Sequence, residues 1–503
     1  MEVKKILYEK FKLTSFRPGQ EEVINDLLGN GDVLAMLPTG SGKSLCYQLP
    51  AFMLNGLTIV VSPLLSLMED QVQHLKSQGM KEVVALNSFL SNEEREFALK
   101  ELHKQKIIYV SPEILQSKSL RKRLKQMTIA LFVVDEAHCI SQWGHEFRTD
   151  YLKLNEVRNE LGNPTCLAIT ATATKEVQQD IINKLNLVRF KTHIFSVDRP
   201  NIGIVVKECG PLVSEKITQL VYLVKNLQGP GIIYASSRKW TEDLASILNK
   251  EGVNGISYYH GGMNNDDRLL IQQQFINNEL QLICCTSAFG MGINKPNIRY
   301  VIHFHSPLQL ESYLQEIGRA GRDRRGSIAI TLHSEGDIPL QMNLLTHEFP
   351  NNEQINAVLE FLQCNKGFRR INESELLKQT GMTDVMWRFI RFHLEEHGVI
   401  VNRKYHQRAD GYDHLIKSLE DKITDRINDK QRKFRRFQQW LSDHTQCRRA
   451  TILAQFDESL IDKPENCCDV CGIDLNQYFT TESTIKNFEF QSWQNELKKI
   501  FHQ

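Results

Sequence analysis

Met36-Leu37-Pro38-Thr39-Gly40-Ser41-Gly42-Lys43-Ser44 is answered later in the chain by Leu131-Phe132-Val133-Val134-Asp135-Glu136-Ala137-His138. A Gly/Ser loop closing on Lys-Ser is a phosphate cradle. Its glycines let backbone N–H groups approach the phosphates, the lysine reaches the β and γ oxygens, and the serine hydroxyl helps hold Mg²⁺. An apolar strand running into two carboxylates supplies one acid for the metal and a second for the attacking water. Each pattern has a bland alternative: a Gly/Ser loop can merely cap a helix, and two acids can be a solvated strand end. The four apolar residues directly before Asp135 argue against the second. Together, and in this order, the two stretches point to nucleoside triphosphate hydrolysis. Thr39, Gly40, Ser41, Gly42, Lys43 and Ser44 are the candidate ATP-binding residues, Ser44 and Asp135 the candidate Mg²⁺ ligands, and Glu136 the candidate base.

Outward from these stretches, short β-rich runs alternate with helix-like segments. Thr58–Val61, Ile107–Val110, Leu131–Val134 and Cys166–Ile169 are continuous apolar strands, the kind that suits a parallel sheet covered on both faces. Asp198-Arg199-Pro200-Asn201 breaks the pattern as a linker. A second set follows at Gly231–Tyr234, Gln281–Cys285, Tyr300–Phe304 and Ser327–Leu332. The fold class is α/β, with two tandem lobes. The second lobe carries Gln315-Glu316-Ile317-Gly318-Arg319-Ala320-Gly321-Arg322-Asp323. Arg319 and Arg322, one turn apart on a helix, share a face and can neutralise γ-phosphate charge when the cleft shuts. Alone, such a segment would be a basic surface helix.

Beyond residue 350 the texture changes. Ile355, Val358, Leu359 and Leu362 have helical spacing; Glu373 to Gly381, a turn, and Val385 to His397 follow, then a strand at Gly398–Val401 and a polar loop from Asn402 to Asp410. Helix, turn, helix, strand and loop outline a winged helix, with a plain helical connector as the alternative. Asp413 to His444 reads as one long helix, basic at Lys430, Arg432, Lys433, Arg435 and Arg436. The domains are placed at 1–200 and 201–345 for the lobes, 346–412 for the winged-helix candidate, 413–478 for a cysteine-bearing subdomain and 479–503 for the tail.

The 503 residues carry a net charge of +1, with 41% hydrophobic and 24% charged residues. No global field draws the chain to nucleic acid, so a basic surface must be local. No apolar run approaches a membrane span and the first residues are not a signal peptide, which leads to the expectation of a cytoplasmic protein. Of 11 cysteines, seven are scattered through the first 364 positions and read as reduced core residues. Cys447, Cys467, Cys468 and Cys471 form a separate group, and four thiolates suit tetrahedral Zn²⁺.

These residues make the chain resemble a RecQ-family DNA helicase of superfamily 2, over about residues 8–335 and again at about 425–472. Leu37 stands where the strict P-loop pattern has Gly, and Pro-Thr-Gly-Ser-Gly-Lys-Ser is the form typical of helicase-type ATPases. Phe16-Arg17-Pro18-Gly19-Gln20 is similar to the family's adenine-reading motif, which implies Arg17 and Gln20 as nucleotide contacts. Val61-Ser62-Pro63-Leu64 and Tyr109-Val110-Ser111-Pro112-Glu113 resemble strand-tracking motifs, and Thr170-Ala171-Thr172 the motif linking hydrolysis to unwinding. Tyr234–Arg238, Tyr259–Met263 and Ala288–Lys295 resemble the second-lobe set. Gln315–Arg322 implies Arg319 and Arg322 as phosphate-sensing arginines.

Cys139-Ile140-Ser141-Gln142-Trp143-Gly144-His145-Glu146-Phe147-Arg148 resembles the RecQ aromatic-rich loop, which implies His138, Gln142, Trp143, His145, Phe147 and Arg148 as residues coupling single-stranded DNA to hydrolysis. The physics agrees: base–aromatic stacking is worth about 1–3 kcal/mol per base and tolerates any sequence. The interleaved polar residues argue against an aromatic core turn. Cys447-Arg448-Arg449 with Cys467, Cys468 and Cys471 resembles the family's zinc-binding subdomain, although the second and third cysteines are adjacent here instead of spaced by two.

The resemblance implies an ATP- and Mg²⁺-dependent helicase moving 3′ to 5′ on single strands in DNA repair and recombination. Its implied cofactors are ATP, Mg²⁺ and Zn²⁺. Its implied partners are single-stranded and forked DNA, and single-stranded-DNA-binding or other repair proteins. Few residues follow Cys471, which suggests a short form without the family's C-terminal helical DNA-binding domain. The rivals are an RNA helicase and a zinc-stabilised DNA-binding scaffold without catalysis.

Overall fold

The computed structural model describes residues 2–480 except 64, 88–89, 143–148, 290–294, 365–370, 402–403 and 407–411. Within the first lobe, β1 (Asp32–Met36), β2 (Leu57–Val61), β3 (Val83–Leu86), β4 (Ile107–Val110), β5 (Ile129–Asp135), β6 (Cys166–Thr170) and β7 (Phe190–Ile194) form one sheet in the order β3-β4-β2-β5-β6-β1-β7. Every pair is parallel. The five residues of β2 and of β6 are all buried, as a sheet covered on both faces requires. The outermost strand β7 carries Lys191 and His193 instead, and is half-exposed.

The second lobe repeats the design. Strands β8 (Ile202–Glu208), β9 (Gly231–Tyr234), β10 (Ile256–Tyr259), β11 (Leu282–Cys285), β12 (Tyr300–His303) and β13 (Ser327–His333) are parallel, in the order β10-β11-β9-β12-β13-β8. The segment Asp198–Asn201 is irregular and joins the lobes, as its Arg-Pro-Asn composition predicts.

The C-terminal region is mainly helical. Helices Asn352–Cys364, Glu373–Thr380 and Asp384–Glu396 precede a small antiparallel hairpin, β14 (Ile400–Val401) with β15 (Lys404–Tyr405). Thr383 caps the third helix, its hydroxyl accepting from the Met386 N–H, and Gly381 ends the second in the left-handed conformation. This unit has its own core around fully buried Trp387, with Val358, Leu376, Leu394 and Val399. The helix Asp413–Ser442 closes that core with Leu415 and Leu419 and then enters the core of the lobes with Phe437, Trp440 and Leu441. The cysteine module follows and pairs along the second lobe: the Ile204 N–H donates to the Cys467 carbonyl at 3.2 Å.

Two expectations are corrected. Arg319 and Arg322 do not share a helix: the helix Leu310–Ile317 ends before them, and they lie in successive turns with Gly321 at φ +55°. Of the seven scattered cysteines, Cys364 is exposed and Cys209 half-buried; the other five are buried.

Candidate active site

Ligands in open parallel sheets gather at the carboxyl ends of the strands, and three adjacent strands here end in the expected motifs. Met36 at the end of β1 is paired with Thr170 at the end of β6, and Ile169 of β6 with Asp135 at the end of β5. The loop 38–44, the acidic pair and Thr170-Ala171-Thr172 therefore emerge side by side. Gly40 and Gly42 have φ of +85° and +78°, a conformation that side-chain-bearing residues rarely adopt. The helix Leu45–Met53 starts directly after Ser44, its N-cap, so its N-terminal amides face the loop.

Gln20, buried at 3% exposure, donates from Nε2 to the carbonyls of Ser41 (2.8 Å) and Gly42 (3.0 Å). Its Oε1 accepts the Arg17 N–H at 2.9 Å, and the Arg17 guanidinium donates to the Gly40 carbonyl. Arg17 and Gln20 thus brace the phosphate loop from outside.

Asp135 closes β5, and Glu136 leaves the strand with φ +49°. Burial, reinforced by the neighbouring Glu136, raises the Asp135 carboxyl. Burial pushes Glu136 the same way, but Lys43, His138, Arg319 and Arg322 overbalance it and hold that carboxyl low. Arg319 and Arg322 belong to the second lobe, so both lobes act on one carboxylate. Arg322 is lowered to about 9 by burial and then by Arg319 and Arg199, the signature of guanidinium groups crowded together. Ser41 Oγ and Arg319 Nε are buried without a hydrogen-bond partner. A phosphate-bearing ligand with its metal suits these orphaned groups.

Trp143, His145, Phe147 and Arg148 lie outside the described residues. Gln142 ends the short helix Cys139–Gln142. His138 is buried, its Nδ1 2.8 Å from Thr170 Oγ1 and 3.4 Å from a Glu136 carboxylate oxygen.

The four cysteines meet: the sulfurs of Cys447, Cys467, Cys468 and Cys471 all lie within 4.8 Å of one another. Cys447 Sγ is 3.6 Å from Cys467 Sγ and 3.9 Å from Cys468 Sγ. A tetrahedron with Zn–S bonds near 2.3 Å has edges of about 3.8 Å, so the donor set fits that ion, and Cys467 belongs to it despite the altered spacing. Burial pushes the Cys467 thiol up to about 12, and a bound cation is what would let all four act as thiolates. Behind them Arg448 donates to Asp469 at 3.0 Å and to the Leu441 carbonyl at 2.9 Å, tying the cluster to the long helix.

Arg199 and Arg449 stand in stretches the sequence marks as linker and zinc subdomain, but nothing in it shows what they bind. Arg199 donates to the carbonyls of Thr39 (3.1 Å), Gly318 (2.9 Å), Ala320 (2.9 Å) and Gly321 (2.7 Å). Arg449, 2% exposed, donates to the Arg199 carbonyl at 3.1 Å and to the Asp198 carboxylate. Such bonds join positions hundreds of residues apart and leave no local signal.

Comparison with known proteins agrees with this organisation. Residues 17–181 match the DEAD/DEAH box helicase model, 215–324 the helicase conserved C-terminal domain and 411–472 the RecQ zinc-binding domain. A Bacillus subtilis protein named as a probable ATP-dependent DNA helicase, RecS, is 45% identical over 98% of this chain and 97% of its own length. The Haemophilus influenzae ATP-dependent DNA helicase RecQ is 40% identical over 71% of this chain, which spans 58% of that relative. The structure of Mycobacterium smegmatis helicase Lhr bound to ssDNA and AMP-PNP aligns with a TM-score of 0.56 at 18% identity, over 75% of this chain and 54% of that one, a likeness of fold alone. With the two-lobed motor, the four-cysteine cluster and a near full-length relative in agreement, the chain belongs to the RecQ family of ATP-dependent DNA helicases.

Proposed function

We propose that this protein is an ATP- and Mg²⁺-dependent motor that unwinds duplex DNA by moving 3′ to 5′ along one strand, within DNA repair and recombination. The observation that carries the reading is the convergence on Glu136 of Lys43 from its own lobe with Arg319 and Arg322 from the other. Lys43 and the amides of the loop 39–44 hold the phosphates. Ser44 and Asp135 hold Mg²⁺, whose charge, when bound, polarises the γ-phosphate. Glu136, kept ionised by Lys43, Arg319 and Arg322, orients the attacking water and takes its proton. Arg319 and Arg322 balance the charge that develops on the transferred phosphoryl group, and arginines in this role are worth about 10³–10⁵ in rate. Because they come from the second lobe, hydrolysis demands a shut cleft and product release reopens it. Opening one base-pair step costs about 1.4 kcal/mol of stacking, so one turnover is energetically sufficient for one step.

Single-stranded DNA is read by His138, Gln142, Trp143, His145, Phe147 and Arg148, and Zn²⁺ is held by Cys447, Cys467, Cys468 and Cys471. The domain limits 1–200, 201–345, 346–412, 413–478 and 479–503 belong to this proposal, with 346–412 a winged helix that contacts duplex at a fork. Its support is the order of three helices and an antiparallel hairpin on a separate core. Among the described residues no helix is long and apolar enough to cross a membrane, and a cytoplasmic setting with single-stranded-DNA-binding and repair proteins as partners is part of the same reading.

The test is phosphate release with and without oligodeoxynucleotide or oligoribonucleotide, beside unwinding of duplexes carrying either a 3′ or a 5′ tail. Stimulation by DNA and unwinding from the 3′ tail are expected. Stimulation by RNA alone would favour the RNA-helicase rival, and no hydrolysis under any condition the scaffold.

A further inference from the structure

Arg199 lies in the linker between the lobes, outside every helicase-type motif in the sequence. Its guanidinium donates to four carbonyls from two places: Thr39 of the phosphate loop, and Gly318, Ala320 and Gly321 of the turns that carry the two arginines facing Glu136. A planar fork of five N–H donors is suited to gathering carbonyls that point inward around it. No regular helix holds those turns, because the helix Leu310–Ile317 has already ended. Asn201 adds a bond from Nδ2 to the Gly321 carbonyl at 2.9 Å. The turn is also pressed against the loop: a Cβ on Gly40 would lie 3.3 Å from Arg322 Cγ, and one on Gly318 would lie 3.1 Å from the Thr39 side chain. The linker is clamped from the far side by Arg449 of the cysteine module, through Asp198, the Arg199 carbonyl and the Ile202 carbonyl.

We infer that Arg199 is a positioning residue for ATP hydrolysis: it fixes the turn bearing Arg319 and Arg322 in register with the phosphate loop, and so sets where those guanidinium groups meet the γ-phosphate. This rests on the functional reading above. Arg199 itself spends its donors on backbone carbonyls. Its loss should leave nucleotide binding, which the loop 39–44 provides, and remove the alignment of the second lobe. A misplacement of about 1 Å at a reacting centre can cost about 10²-fold in rate.

The experiment compares the full chain with Arg199→Ala and Arg199→Lys, measuring DNA-stimulated kcat and KM for ATP, affinity for a fluorescent ADP, zinc content and thermal melting. Arg199→Ala should lower kcat by about 10²-fold, with ADP affinity, zinc content and melting temperature at the parent values. Arg199→Lys keeps the charge in the linker and loses the fork, and should share the defect. Millimolar guanidinium should raise the turnover of Arg199→Ala and not that of the parent. A kcat at the parent level in both variants, or a loss matched by equal losses of ADP affinity or melting temperature, overturns the inference and leaves the motor reading standing. A parent protein without DNA-stimulated turnover overturns both.

Discussion

His138 Nδ1 lies 2.8 Å from the Thr170 hydroxyl, joining the end of β5 to the end of β6 beneath the nucleotide site. The same hydroxyl donates to the Thr172 carbonyl at 3.2 Å, so it accepts from His138, whose Nδ1 then carries the proton. Burial keeps this imidazole below its ordinary pKa, with Glu136 pulling the other way. A neutral ring with a fixed tautomer links the acidic pair to the segment 170–172. His138→Ala should leave DNA-independent ATP turnover within a few-fold of the parent and lower unwinding more than tenfold, about 1.4 kcal/mol or more of lost coupling. Parallel ATPase and tailed-duplex assays check this, and equal losses in both would place His138 in the chemistry itself.

The phosphate loop makes two demands of different kinds. Lys43→Ala removes the only lysine of the loop and should abolish turnover while DNA binding persists, measured by phosphate release and by fluorescence anisotropy of a labelled oligonucleotide. Gly42→Ala tests geometry: at φ +78° an added Cβ would lie 2.8 Å from Gln20 Nε2. The left-handed backbone alone costs about 1–2 kcal/mol, which predicts a KM for ATP raised about tenfold. An unchanged KM would mean that Gln20 moves aside without consequence.

The second lobe should respond to acid through His305. It is buried beside Trp240 and Phe304, and its Nδ1 accepts the Ser236 N–H at 3.3 Å. Burial, then Lys216, lowers its pKa to about 3. A depressed folded-state value means that the stabilisation is complete above the unfolded value of about 6.5 and is lost as pH falls from there toward 3. Urea midpoints between pH 8 and 5 should therefore decline below 6.5. His305→Asn, which can still accept the Ser236 N–H, should flatten that decline by about 1.4 kcal/mol per pH unit. The same slope in parent and variant would assign the proton uptake to another group.

Much of this architecture is written locally. The runs Thr58–Val61 and Cys166–Ile169 are apolar throughout because both faces of their sheet are covered, and they appear as strands where periodicity places them. Strand β7, Phe190–Ile194, was not legible because it has one neighbour and alternates Lys191 and His193 with less polar residues. For the two second-lobe arginines the spacing points to the wrong local structure. Helical spacing continues past Ile317 in the sequence, yet Gly318 and Gly321 let the chain turn, and tertiary bonds from Arg199 and Asn201 make turning the better choice. The cysteine group was legible from residue type alone, because sulfur ligands need no particular secondary structure to converge.

Removing the metal from that group should have a large effect. Apparent binding free energies of structural Zn²⁺ run to about 10–16 kcal/mol, so Cys467→Ser or a strong chelator should lower the melting temperature and release one zinc per chain, read by a colorimetric zinc indicator. A melting temperature that ignores both treatments would reject a structural ion.

The pairing of Ile204 with Cys467 and Cys468 has a wider meaning. Strand β8 is one of the two edge strands of the second sheet, and the cysteine module lies along its open side. A Cβ on Gly203 would lie 2.4 Å from the Cδ1 of Ile473, so the module packs closely over this strand. An uncovered flank of this kind offers unpaired amides and carbonyls to any passing chain. An ion bound there would guard solubility as well as shape: without it the chain should self-associate through β8 and be lost to precipitation before its two lobes ever unfold.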